Sequence, residues 1–203
     1  MARPSTQQQR RKDILNAAKK LMERHDQAAL GIGDVADELG MTTNAIRYYY
    51  KDIDDLLAEL CARSNERFFT ERLAVAESLD DAAERLAVTI AAGLPSDAED
   101  VEWRVIWRAV LAAGFEFDKK PEVREIYHRQ VGLYESIFEY GAATGRFTLA
   151  GPAHELAQSI MAMEDYLGYR IVARDRHFDR PTALRLVRGY AQLATNAELP
   201  STP

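Results

Sequence analysis

Apolar residues recur at three- and four-residue intervals along nearly the whole chain, the spacing of helices that bury one face. Ile14, Ala17, Ala18, Leu21 and Met22 form the first stripe, which fades near His25 and Asp26. Ile32, Val35, Ala36 and Leu39 form a second, stopped by Gly40, and Ile46 anchors a third behind Thr42. The pattern predicts two short helices, over 32–39 and 43–50. A longer helix opens at Asp52 and runs through Leu56, Leu57, Leu60 and Phe68 to about Leu79, and another spans 81–92. Gly93, Pro95 and Ser96 break the periodicity. A helix over 98–117 follows, with Val101, Val105, Ile106 and Val110 on its apolar side, and Pro121 opens another to about Gly141. Two more are expected over 154–173 and 182–196. No β-alternation and no internal repeat interrupts this, so the fold class is all-α with about nine helices.

The segment Gly31–Lys51, GIGDVADELGMTTNAIRYYYK, carries the clearest chemistry. With its apolar positions turned inward around the glycine turn, Thr43, Asn44, Arg47 and Tyr48 remain for an outer face. A helix-turn-helix uses this arrangement because the major groove admits one helix and shows each base pair as a distinct donor and acceptor pattern. Thr42 and Thr43 stand at the start of the second helix, where hydroxyls meet phosphate or serve as caps. Asn44 suits a base edge. Arg47 has the fork that fits guanine acceptors or phosphate oxygens. Tyr48 offers a ring and a hydroxyl to the DNA backbone, and Lys51 suits a phosphate. Arg10, Arg11 and Lys12 read either as a phosphate-touching arm or as a solvated helix start.

Charge adds a direction. The 203 residues carry a net charge of −6, with +3 on residues 1–51 and −9 on the rest. A basic head on an acidic body suits a localised DNA contact rather than coating of nucleic acid by the whole surface. The single cysteine, Cys61, excludes an internal disulfide and a zinc finger or ribbon. No apolar run reaches the roughly 18 residues of a membrane span. The N-terminal MARPSTQQQRRKD lacks the apolar stretch of a secretory signal, and a cytoplasmic location is expected.

Two stretches, ILNAAKKLM over 14–22 and VADELGMTTNAIRYYYKDIDDLL over 35–57, resemble the TetR family of one-component transcriptional regulators. Val35-Ala36, Gly40-Met41-Thr42, Tyr49-Tyr50 and the acidic pair Asp54-Asp55 before Leu56 carry the likeness. Gly31 stands where a capping Thr or Ser is usual, Asp26 where Gly is favoured, Ile53 where Lys is frequent and Arg47 where Tyr is frequent. The resemblance implies a three-helix DNA-binding head over 1–51 and a helical effector-binding and dimerisation body over 52–203. The implied partners are double-stranded DNA with a pseudopalindromic operator, a second copy of the chain, and a small-molecule effector. No cofactor, no metal and no membrane partner is expected. The implied function is a sequence-specific regulator, a repressor by default.

Within the body, Trp103, Trp107, Tyr127, Tyr134, Phe138 and Met161 are candidates for an apolar effector pocket, with Phe115 and Phe117 nearby in sequence. Most residues of such a stripe at helical spacing are core. Glu164 and Asp165 interrupt the apolar stretch SIMAMEDYLGY; either one faces a pocket, or both are exposed or paired. Ile160, Met161, Leu167, Ile171, Leu184, Val187, Tyr190 and Leu193 are candidates for a dimer seam or the core. No phosphate loop, HExxH or GxSxG is present. Glu125 and His128 make one Glu-x-x-His, half of what a helical di-metal enzyme needs. A metal-binding bundle enzyme, an orphan regulator without effector, and a protein-interaction module are the alternatives.

Overall fold

Helix starts in this chain are set by side-chain oxygens that meet otherwise unpaired backbone N–H groups. Thr42 Oγ1 accepts from Ala45 N at 3.2 Å, Asp52 from Asp55 N at 2.9 Å, and Asp179 from Thr182 N at 2.9 Å. Asp81 accepts from both Ala83 N and Glu84 N. Gly31 has no such oxygen. Instead the Asp34 carboxylate reaches back to the Gly31 N–H at 2.7 Å.

A computed structural model describes the backbone of residues 6–24, 30–112 and 121–201, and the side chains within these except 109–112 and 121–123. The described residues form nine helices and no strand: α1 (Thr6–Arg24), α2 (Ile32–Glu38), α3 (Thr43–Arg47), α4 (Ile53–Glu77), α5 (Ala82–Ala92), α6 (Val101–Ala112), α7 (Pro121–Ala143), α8 (Ala153–Val172) and α9 (Arg180–Thr195). His25, Asp26, Phe115 and Phe117, and the side chains of Val110 and Val123, lie outside the described residues. The third helix is shorter than the expected 43–50. Tyr48 is its C-cap, and the chain then turns so that Tyr50 enters the core at 1% exposure. Arg11 lies over the Tyr50 ring at 4.6 Å, and Asp52 already begins the next helix.

Two apolar cores result. One gathers the α1 stripe with Ile32, Val35, Ala36, Ile46 and Tyr50. Leu56, Leu57, Leu60 and Cys61 of α4 and Val105 of α6 complete it. The other is built from α5, α7, α8 and α9 around Leu86, Ile90, Phe138, Ile160 and Val187. The first turns of α4 thus finish the head beyond residue 51, while its later turns, at Phe69, Leu73 and Ala76, face the body. One continuous helix serves both.

The turn between α2 and α3 depends on Gly40, whose φ is +61°. A Cβ there would meet nothing within 4 Å, so the left-handed backbone alone resists substitution. Gly40→Ala is expected to destabilise the chain by about 1–2 kcal/mol, and Gly40→Asn by less. Chemical denaturation of the three proteins checks both the size and the order.

Candidate nucleic-acid interface and effector body

Because Ile46 and Tyr50 point inward, the α3 region leaves its polar side chains outside. Thr42, Thr43, Asn44, Arg47, Tyr48 and Lys51 are all exposed, Tyr48 at 75%. The Tyr48 ring stands edge-on to Tyr49 at 5.0 Å. Among the described residues neither Arg47 nor Lys51 is held in an ion pair, so both cations are available to phosphate or base edges. Arg11 is not. Its guanidinium pairs with Glu59 and donates to Tyr49 O at 3.2 Å, which ties α1 to the segment after α3. Arg10 and Lys12 remain exposed. Burial, then the neighbouring Glu59, pushes the Tyr50 phenol up to about 12.

Helix α6 connects head and body through both faces. Val105 sits in the head core with Val101 and Ile106 beside it. Trp103 points the other way, into the body, against Phe68 with ring centroids 5.7 Å apart. Trp107 packs on Tyr169 at 5.1 Å. Glu102 accepts from Lys19 of α1 at 2.9 Å and pairs with Arg67 of α4. Arg108 donates to Leu30 O at 3.4 Å.

The body hides a polar centre. Arg72 of α4 is 3% exposed and Glu164 of α8 is fully buried, with Nη2 3.3 Å from Oε1. The same nitrogen donates to Tyr134 Oη at 2.7 Å and Thr89 O at 2.8 Å, and Nη1 donates to Gln130 Oε1 at 2.6 Å. Tyr134 donates its hydroxyl hydrogen to Glu164. Gly93 lies so close that a Cβ there would fall 1.8 Å from Glu164 Oε1. Burial pushes the Glu164 carboxyl up, against the pull of Arg72. Burial also opposes charge on Arg72, but Glu164 and then Tyr134 hold it protonated. Beside them Asp165 is half-buried, and burial followed by the nearby Glu164 raises its carboxyl to about 7.

The expected pocket residues therefore separate. Trp103, Tyr134, Phe138, Met161 and Glu164 are buried, and Trp107, Tyr127 and Asp165 are half-buried. Tyr134 and Glu164 meet in the polar centre rather than facing open space. A cleft of about 170 Å³ lies instead between α4 and α7, bounded by Ala62, Asn65, Phe69, Ile126 and Gln130. None of the eight expected residues lines it. Arg72 and Gln130 escaped the sequence reading because their partners lie 17 to 92 residues away. The one local signal was Glu164-Asp165, a charged pair inside an apolar run. Glu125 and His128 are exposed, and among the described residues no three His, Cys, Asp or Glu side chains gather as a metal site would require. No helix among the described residues is long and apolar enough to cross a membrane.

An exposed polar face on a helix-turn-helix, carried by a larger helical body, is an arrangement suited to a DNA-binding regulator. Comparison with known proteins carries this further. Residues 14–60 match the family profile of bacterial regulatory proteins, tetR family. A transcriptional regulator from Saccharomonospora viridis, solved with choline, superposes with a TM-score of 0.75 at 25% identity, covering 91% of this chain and 96% of the other. A TetR transcription regulator from Haloarcula marismortui gives 0.74 at 24% identity over 93% and 99%. FadR from Bacillus subtilis, solved with stearoyl-CoA, shares the fold at 0.70 and 17% identity over 92% and 98%. No curated protein matches. Residues 14–60 thus form a DNA-binding head of the tetR-family type, set on an all-helical fold shared with solved transcriptional regulators.

Asp165 supplies a pH test of the body. Its folded value of about 7 lies above the ordinary 3.8. A raised acid favours the folded state fully below the unfolded value and loses that contribution as pH rises through the folded one. Asp165→Asn, which cannot ionise, should therefore melt higher than the parent above pH 7, by roughly 2–4 °C per kcal/mol relieved. The advantage should shrink to nothing below about pH 4. Thermal melts across that range check it.

Proposed function

We propose that the chain is a homodimeric repressor that holds a pseudopalindromic operator and is released by a small, mainly apolar ligand bound in its body. The observation that carries this reading is the division of α4 and α6 between two cores. Leu56, Leu57 and Leu60 of α4 and Val105 of α6 are part of the head, while Arg72 and Trp103 on the same helices are part of the body. A ligand that shifts either helix in the body moves the head with it, and differential affinity for two such arrangements is all that control requires. The Saccharomonospora viridis and Bacillus subtilis regulators, which share this fold and were solved with choline and stearoyl-CoA, support a small-molecule role for this architecture.

One head spans too short a half-site to select among genomic competitors. Two heads on a twofold axis reach successive major-groove faces, about 34–36 Å apart or a multiple. The candidates for the pairing surface now divide. Ile160, Met161, Leu167, Ile171 and Val187 belong to the core. Leu193 is 79% exposed and Leu186 44%, with Tyr190 half-buried between them at helical spacing on α9, and Tyr166 of α8 is 62% exposed. These four are the seam of the proposed dimer, since apolar groups so exposed mark an interaction surface.

Selection from a random DNA pool should enrich a pseudopalindrome, and its absence at low salt would overturn the reading. On that operator, Arg47→Ala should lose about 1–3 kcal/mol of binding if it reads a base. Lys51→Ala should weaken all sequences alike and lower the salt slope by roughly one unit. Leu193→Asp should halve the mass seen by light scattering at micromolar protein. An unchanged dimer mass would put the seam elsewhere.

A further inference from the structure

The floor of the cleft between α4 and α7 is made of two amides that the packing of the body leaves half-used. Asn65 and Gln130 are 5% and 2% exposed. Asn65 Nδ2 donates to Cys61 O at 3.1 Å and contacts Cys61 Sγ at 3.3 Å. Gln130 Oε1 accepts from Arg72 Nη1 at 2.6 Å. These partners fix the amide orientations, because a carbonyl only accepts and a guanidinium only donates. Asn65 therefore keeps Oδ1, and Gln130 keeps its NH2, without a hydrogen-bond partner among the described residues. Neither atom is among those sealed from solvent, and both side chains line the cleft. An acceptor and a double donor thus meet the same small space.

The walls are apolar, from Ala62, Phe69 and Ile126. At the rim Arg129 lies over the Phe69 ring at 4.1 Å and is paired with Glu66. No unpaired charge reaches the floor, since Arg72 is already held by Glu164. A carboxylate placed there would lose its water beside Glu66 and Glu125, which also line the cleft, without gaining a counter-ion. A cavity of about 150 Å³ takes one benzene, so this cleft suits one ring or a short branched chain with a polar head.

We infer that this cleft is the effector site and that it selects a neutral carboxamide on a compact apolar body, an inference that rests on the effector reading above. The ligand N–H donates to Asn65 Oδ1, and the ligand carbonyl accepts from the Gln130 NH2. Asn65 and Arg72 are seven residues apart on α4, on one face of that helix. Through Gln130 the ligand is joined to Arg72, and through Asn65 directly to α4. It therefore clamps two turns of α4 against α7 and biases the tilt of the helix whose first turns complete the head.

The test uses the full chain with benzamide as probe and benzoate and toluene as controls. Binding is followed by the side-chain NH2 signals in a ¹H–¹⁵N spectrum and by affinity for the selected operator. Benzamide should shift the Gln130 signal, identified by its loss in Gln130→Glu, and should weaken operator binding. Benzoate and toluene should do neither. Gln130→Glu keeps an acceptor for Arg72 but lacks the donor, and it should bind benzamide about tenfold less tightly. Ala62→Phe, at an exposed position on the cleft wall, should exclude the probe while leaving the fold and operator binding intact. Benzamide bound no better than the controls, or equally by Ala62→Phe, would overturn the site. Benzamide bound as described with operator affinity unchanged would overturn the effector reading and leave the amide site standing. A metabolite that releases operator equally from the parent and from Ala62→Phe would do the reverse.

Discussion

Arg72 carries a full charge at a depth that water does not reach, and the body is arranged to answer it. A buried cation is tolerated only with a counter-charge and hydrogen bonds to its remaining protons. Here the answers come from α5 through Thr89 O, from α7 through Gln130 and Tyr134, and from α8 through Glu164. Four helices are thereby fixed around one guanidinium. Even so, Arg72 Nε and Thr89 Oγ1 remain enclosed without partners. Apolar packing alone is non-directional and tolerates alternative packings of the same volume. A directional network of this kind does not, because any shift strands a buried polar atom.

The same residue sits on the helix that completes the head. Between the ends of α4 there is no linker to absorb motion, so head and body meet along a rigid element. The second connection, α6, is of a different kind. Its Val105 is held by apolar contact, but Glu102 joins Lys19 of the head and Arg67 of α4 in an ion cluster that is only partly buried. Such exposed pairs contribute little to stability. They set alignment rather than strength, and they rearrange readily when α4 and α6 move relative to one another.

Much of the fold was legible because it follows from local rules. The period of apolar positions located the nine helices, and Asp52 and Asp81 marked starts, which their capping oxygens explain. The outward polar face of α3 was legible for the same reason. Ile46 is the one strongly apolar position in α3, and fixing it inward places Thr43, Asn44 and Arg47 outside. What failed locally was the end of α3, where Tyr49 and Tyr50 continue a helical pattern in sequence. Tyr50 packs in the core, as expected of it, but from beyond the end of the helix, with Arg11 from 39 positions earlier over its ring. The body site was illegible for a related reason. Aromatic and methionine residues on helical spacing look alike whether they fill a core or line a space, and Tyr134, Phe138 and Met161 fill the core.

The two polar features of the body differ in what they demand. The Arg72 centre is satisfied within the chain, apart from single atoms that no ligand can reach. Asn65 and Gln130 are the opposite, since each spends one end of its amide on the protein and turns the other toward an open space. At Asn65 core stability gives no reason for that arrangement, because leucine there would remove an unmet polar atom and add apolar contact. Gln130 belongs to both features at once. Its oxygen completes the shell of Arg72, and its nitrogen faces the cleft, so whatever occupies the cleft acts on the most constrained charge in the molecule through a single amide.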